Sequence, residues 1–467
     1  METEHRLAPL SPADLPAKGV GVARVIGPGA VLVGLSIGSG ELIMWPTIVA
    51  EYGPTMAWAP LLGVFLQYWV NQELGRYVLA TGESVYTGFA RLSGVFVYFF
   101  LFISTAQHLA PAWAVASGGA LKALVVGTEG PGEIYVWTWL TFLGIAATLF
   151  LAKYIYRMVE AIMLVLCVII VTGLSASVVM CGDADTWKGV GRGVINLGFI
   201  DPGINRFHFF AALVFAGVGG TGNIFLNYYL RDKGMAMGAR MGRIINPIRG
   251  QAESVPSTGF IFESTRENLE RWRTWFLDFR LEQAVTFWFI TSFTIMLFFV
   301  AAAATLYPAG LVPKGFEVAV TQSRILEAIA GRPGHYLFLI VSFAALFSTQ
   351  LAIIDGMART ISDLIYVNFP RAQKRSLSFW YMFFAGAWIV VGCGLALFQI
   401  PPLVLLISNA CFGGLAMAVY CPLTLVINRR FLPEGARPGI ISTTFLGLAS
   451  LVYIFFVLYA VGTFILK

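Results

Sequence analysis

The chain has 467 residues, of which 58% are hydrophobic and 12% charged, with a formal charge of +6. Soluble domains are about half apolar and about a quarter charged, so this composition belongs to a membrane protein with several spans and excludes a second, soluble domain. The basic residues are scattered between apolar runs rather than gathered into a stripe, which argues against nucleic acid as a partner.

In chain order, residues 1–21 are expected to form a cytoplasmic tail. The tail carries Glu2, Glu4 and Asp14 and lacks the apolar centre of a signal peptide. Residues 22–466 read as a single transmembrane domain. Apolar segments at 22–50, 55–80, 94–126, 134–152, 158–181, 207–230, 281–307, 335–366, 378–399, 402–427 and 439–466 predict eleven α-helical spans, each long enough to cross about 30 Å of hydrocarbon. Only Lys153 to Arg157 separates the fourth span from the fifth. Connections after even-numbered spans carry Arg76, Arg91, Lys153, Arg157, Arg371, Lys374, Arg375, Arg429, Arg430 and Arg437, besides nine Arg and Lys between 231 and 280. The opposite connections are poorer in cations and mixed with acids. The positive-inside rule then puts the amino terminus in the cytoplasm and, with an odd number of spans, the carboxyl terminus outside.

Within the long 231–280 connection, Ser264-Thr-Arg-Glu267 offers a capping box. Leu269, Trp272, Trp275, Phe276 and Phe279 then recur at helical spacing. This predicts an amphipathic helix over 265–279, either lying in the headgroup plane or packed on the protein. The cysteines, Cys167, Cys181, Cys393, Cys411 and Cys421, have no metal-ligand spacing and lie in or beside apolar segments, as inert fillers do.

The first span contains Gly38-Ser-Gly-Glu41. A charge at membrane depth costs about 3 kcal/mol on insertion scales, and glycine weakens a helix. The segment is therefore either a discontinuous helix whose broken middle holds a solute, or a glycine-packed helix with Glu41 near one end. The sixth span contains Gly217, Gly219, Gly220, Thr221 and Gly222, followed by Asn223 and Asn227 one turn apart. Small residues also let helices pack closely, but this density of glycine followed by a buried amide exceeds that need. Breaks in corresponding spans of two halves are the pattern of inverted-repeat transporters. Five plus five spans with one appended account for eleven. The candidate solute ligands are Gly38, Ser39, Gly40, Glu41, Gly217, Gly220, Thr221, Gly222, Asn223 and Asn227.

Asp355 stands four residues before Arg359 and is either an intrahelical partner for it or a second functional carboxylate. His108 is either a proton relay or a packing histidine. Glu73 with Arg76, and Arg157 with Glu160, read as structural pairs at span ends. There is no set of nucleophile, base and orienter and no phosphate-binding loop, so neither an enzyme nor a cofactor is expected. Repeated pore loops, the mark of many channels, are also missing.

Gly27-Pro-Gly29, Glu51-Tyr-Gly53, Leu66-Gln-Tyr68, Thr81-Gly82, Asn223, Gln350, Gly356 and Arg429-Arg430 resemble the Nramp metal-ion transporters over most of the chain. The resemblance implies an all-α, eleven-span LeuT-like fold in a bacterial cytoplasmic membrane, and proton-coupled uptake of divalent transition metals. It adds Gln350 to the candidate site, and Asn409 where the family has a glutamine. The family's metal motifs are not kept: Gly38-Ser-Gly-Glu41 replaces Asp-Pro-Gly-Asn, Gly220-Thr-Gly222 replaces Met-Pro-His, and Asn227 replaces a second histidine. The remaining donors, Ser39, Glu41, Thr221, Asn223, Gln350 and Asp355, are hard oxygens, which suit magnesium or calcium better than manganese or iron. Glu41, Asn223 and Asp355 are the metal candidates; Glu41, His108 and Asp355 are the candidates for a coupling proton.

A second reading starts from Ile37-Gly-Ser-Gly40, which is similar to the first-span motif of amino-acid transporters in the wider LeuT-like superfamily. There glycine N–H groups at a half-helix terminus hold a substrate carboxylate. Gly219-Gly-Thr-Gly222 then supplies a second cradle, and the solute is a small organic acid or amino acid. On either reading the partners are the lipid bilayer, a transported ion or solute, and protons.

Overall fold

Apolar segments in a bilayer become helices because only then is every backbone amide paired within its own segment. The protein, seen in a computed structural model, is described over residues 7–17, 27–151, 165, 168, 171–176, 178–180, 182–242 and 256–465. Helix α1 is Pro28–Tyr52, α2 Trp58–Thr81, α3 Val85–Leu92, α4 Val95–His108, α5 Ala112–Val126 and α6 Ile134–Leu151. A short apolar helix, Val171–Met180, is what the structure describes of the predicted fifth span. Then follow α7 (Ala184–Ile195), α8 (Arg206–Val214), α9 (Leu226–Lys233), α10 (Arg266–Thr305) and α11 (Val318–Asn368). The chain ends with α12 (Leu377–Ala396), α13 (Pro402–Phe431) and α14 (Ile440–Ile465). Among the described residues, eight helical runs are long and apolar enough to cross a membrane. The expected border between the fourth and fifth spans, the Arg157–Glu160 pair, Cys167 and Cys181 lie outside the described residues; Cys393, Cys411 and Cys421 are free thiols.

Local chemistry places the helix ends. Asn205 accepts the Phe207 amide (2.9 Å) at the start of α8, and Ser376 accepts that of Phe379 (3.1 Å) at the start of α12. Gly53, with φ of +74°, closes α1. The expected capping box shifts by one residue, since Thr265 rather than Ser264 caps α10, taking the Asn268 amide at 3.3 Å. A kink at Gly331 (φ +60°) beside Pro333 divides α11.

The bundle is built around α1. All of its apolar window is buried, against 22% in α12 and in α14, so α1 is the axis and those two leave most of their apolar windows uncovered by the rest of the protein. Helix α11 packs along α5 and α12, and α13 along α14.

The amphipathic helix expected at 265–279 is the first part of α10 and packs on the protein, one of its two expected positions. The 40 residues of α10 make about 60 Å of continuous helix, about twice the hydrocarbon thickness. Its apolar face is covered by the protein. Trp272 stacks on Phe262 and Phe276, Arg76 lies over Phe276 at 4.2 Å, and the Trp275 indole donates to the Pro16 carbonyl at 3.1 Å. The amino-terminal segment completes this cover, with Ser11–Pro12 (β1) pairing in parallel with Phe260–Ile261 (β2).

Candidate functional site

Helix α1 bends its rules without breaking. From Ile37 to Met44 it widens into π turns, and the Trp45 amide donates to the Gly40 carbonyl, five residues back. The break expected at Gly38–Glu41 is thus replaced by a continuous, widened helix. The physical reason is packing. A Cβ at Gly38 would overlap the Thr349 side chain of α11, and one at Gly40 would overlap the Phe215 carbonyl oxygen. Neighbours press on the helix from both sides and leave the backbone no water to bond with if it unwound.

The Glu41 side chain is fully buried. Its Oε1 accepts the Ser36 hydroxyl at 2.6 Å, Thr294 of α10 stands alongside, and Oε2 has no hydrogen-bond partner. A buried carboxylate oxygen without a partner is costly, and such groups are characteristic of binding and transfer sites.

The sixth span does break. After α8 the chain leaves helical geometry at 215–219, passes Gly219 (φ +78°) and Gly220 (φ +58°), and resumes as a tight 3₁₀ stretch, Gly220–Phe225, before α9. Three side chains from other helices replace the lost backbone bonds. Gln67 of α2 donates to the Val214 carbonyl (2.8 Å), while its Oε1 accepts the Gly219 amide (2.9 Å) and Asn223 Nδ2 (3.2 Å). Gln107 of α4 accepts the Thr221 amide (2.8 Å) and hydroxyl (3.0 Å) and donates to the Gly219 carbonyl (3.3 Å). Tyr420 of α13 donates to the Gly220 carbonyl at 2.9 Å and accepts from Asn223 at 3.4 Å. Asn223 Oδ1 is left without a partner. A Cβ at Gly217 would come within 2.6 Å of Gln67 Oε1, so this glycine is a packing requirement.

The other expected site residues separate into groups. Gln350 accepts the Ala114 amide at 3.1 Å and Asn409 donates to the Ala110 carbonyl at 3.3 Å. Both thereby hold the junction of α4 and α5, where Pro111 lacks an amide proton; Asn409 Oδ1 is free. His108 Nδ1 meets the Ser104 carbonyl at 3.2 Å and its ring packs on Phe225, an arrangement that serves packing. Asp355 is closed off: Arg359 Nε approaches both its oxygens (2.9 and 3.0 Å) and the Tyr381 hydroxyl donates at 2.8 Å. The intrahelical pairing expected with Arg359 is formed, and Arg359 also reaches Asp232 at 2.5 Å, so one guanidinium serves two carboxylates. Glu73 and Arg76 pair as expected, at 2.9 Å. Asn227 is buried with both amide atoms unpartnered. Among the described residues, no three His, Cys, Asp or Glu side chains come together as a metal cluster would require.

The sequence reading did not assign roles to Gln67, Gln107 or Tyr420, which hold the break, nor to Ser36, which holds Glu41. A lone glutamine in an apolar span must find a partner, so the two glutamines carried a usable signal; the tyrosine did not. Glu282 was also missed. From α10 its Oε1 accepts the amides of Gly29 (2.7 Å) and Gly27 (3.4 Å), capping the amino terminus of α1 with a carboxylate.

No protein-family model matches the sequence, and no curated protein matches it either. Solved structures do. A mutant of the manganese transporter of Eremococcus coleocola aligns at a TM-score of 0.69 and 14% identity, over 97% of this chain and 90% of that one. The same transporter in complex with an aromatic bis-isothiourea compound aligns at 0.66, with the same identity and coverage. At this identity the likeness establishes fold alone, and the chain therefore has the all-α, LeuT-like membrane fold expected from its sequence.

Proposed function

We propose that this protein is an Nramp-like secondary active transporter that moves a cation by alternating access, at a site between the widened turns of α1 and the break before α9. One observation carries the reading: Glu41, a fully buried carboxylate with one oxygen uncommitted, on the turn next to Gly40, which touches Phe215 at the start of the break. The likeness in fold to a manganese transporter supports the mode of action, not the ion. The uncommitted donors, Glu41 Oε2 and Asn223 Oδ1, are oxygens, so a hard divalent ion such as Mg²⁺ is preferred to Mn²⁺ or Fe²⁺. Glu41 is also the group that would carry a coupling proton, since Asp355 is held by Arg359. Following the charge bias, the amino terminus is cytoplasmic, the carboxyl terminus outside, and the membrane a bacterial cytoplasmic one.

The carboxylate-cradle alternative finds less support. The amides of Gly219 and Thr221 that would hold a substrate carboxylate are already taken by Gln67 and Gln107. Uptake by proteoliposomes under an imposed pH gradient separates the readings. Mg²⁺ or Ca²⁺ uptake exceeding that of Mn²⁺ is expected. Mn²⁺ moving as readily as Mg²⁺ would remove the hard-ligand argument, and uptake of an amino acid with no metal ion would favour the alternative.

A further inference from the structure

Helix α2 and the sixth span run side by side in the same direction. Gly63 of α2 lies against Leu213 and Ala216, Gln67 against Val214, Gly219 and Asn223, and Gly82 against Met237 and Met241. Stepping one helical turn along each helix from the Gln67–Asn223 bond brings Asn71 level with Asn227. On α2, Asn71 lies about 40° around the axis from Gln67, which touches this neighbour, and Gly82, just after α2, meets the segment just after α9, so the two stay side by side past Asn71. Both asparagines are buried, and none of their four amide atoms has a hydrogen-bond partner. Gln67 and Asn223, one turn above, are bonded to each other.

A buried amide left without a partner costs free energy, and the register brings two such amides to one level of an apolar bundle. Other buried amides lack partners too. Gln72 is one, on α2, and Gln322, which lines a small void with Leu42 and Ile43, is another. We propose that Asn71 and Asn227 form a second polar station, one turn from the break toward the carboxyl ends of α2 and α9, which takes up water and passes on a hydrated cation. The station holds no formal charge, so it suits an ion that keeps its water shell and would not trap a bare one. The cation part rests on the transport reading above; the water part does not.

Two measurements test it. In reconstituted protein with its native cysteines replaced, single cysteines are introduced as Asn71→Cys, Asn227→Cys and, as a packed control on α2, Leu66→Cys. A charged methanethiosulfonate should modify the first two about tenfold faster than the third, because a thiol must be wet and ionised to react. Equal, slow modification of all three overturns the station. Separately, Asn71→Leu should lower Mg²⁺ uptake about tenfold while Asn71→Ser, which can still bond water, keeps most of it. Full uptake by Asn71→Leu also overturns the proposal. A wild-type protein that moves no metal ion would defeat the transport reading instead, and labelling would still decide the station.

Discussion

The widened stretch of α1 and the break of the sixth span have similar compositions and different backbones. Both combine glycines with polar residues in the middle of an apolar run. In α1 the glycines are spent on contact, with Thr349 at Gly38 and Phe215 at Gly40, and the helix keeps its own hydrogen bonds in π register. In the sixth span Gly219 and Gly220 adopt positive φ, and Gln67, Gln107 and Tyr420 supply the bonds that the backbone gives up. A helix in a membrane unwinds only where other side chains can take over its amides. The consequence for chemistry is an inversion. The backbone of the broken span is largely satisfied by other side chains, whereas the continuous one carries the carboxylate with a free oxygen.

Glu41→Gln is the strongest way to break that comparison. The amide keeps the shape and can still accept from Ser36, so expression and thermal stability should hold. Transport should fall about a hundredfold, equivalent to about 2.7 kcal/mol of lost stabilisation. Uptake close to wild type would return the chemistry to the sixth span. Next in size are two alanine substitutions, compared by thermal unfolding in detergent. Gly40→Ala drives a methyl into the Phe215 backbone, which cannot step aside, and should cost about 3 kcal/mol. Gly220→Ala meets the end of the Gln107 side chain, which can move, and pays about 1 kcal/mol for its positive φ, with some further cost for the displaced amide. A larger loss at Gly220 would mean that the break, not the π stretch, is the tighter element.

Gln107→Leu sharpens the other half of the comparison. It leaves the Thr221 amide and hydroxyl without their acceptor and should cost about 1–3 kcal/mol, with faster amide hydrogen exchange at 219–223 as its signature. These residues also mark how far the sequence could be read. Eight helical runs long and apolar enough to cross, of the eleven spans expected, were legible from apolar runs among the described residues, and the two irregular sites from glycines in corresponding positions. The π register was not, because Gly38 and Gly40 owe it to Thr349 and Phe215, far away in sequence. Asp355 with Arg359 was legible as a pair because four residues on a helix suffice to bring them together. The cover of α10 by the amino-terminal segment was not, since nothing around Asp14 or Pro16 signals a docking partner near Asn268 and Trp275.

The smallest expected effect belongs to Thr349→Val. The hydroxyl donates to the Gly34 carbonyl at 3.0 Å and to Ala345 at 2.9 Å, and valine keeps the volume that fits against Gly38. Both carbonyls can keep bonds within their own helices, so the loss should be below about 1 kcal/mol, with only a small change in uptake. If volume alone holds the π stretch, Thr349→Val is mild and Thr349→Ala, which opens a gap beside Gly38, is the worse of the two. If the hydroxyl instead anchors the widened turns through Gly34, the order reverses. Thermal unfolding of the two variants side by side therefore decides whether α1 is shaped by pressure or by a bond.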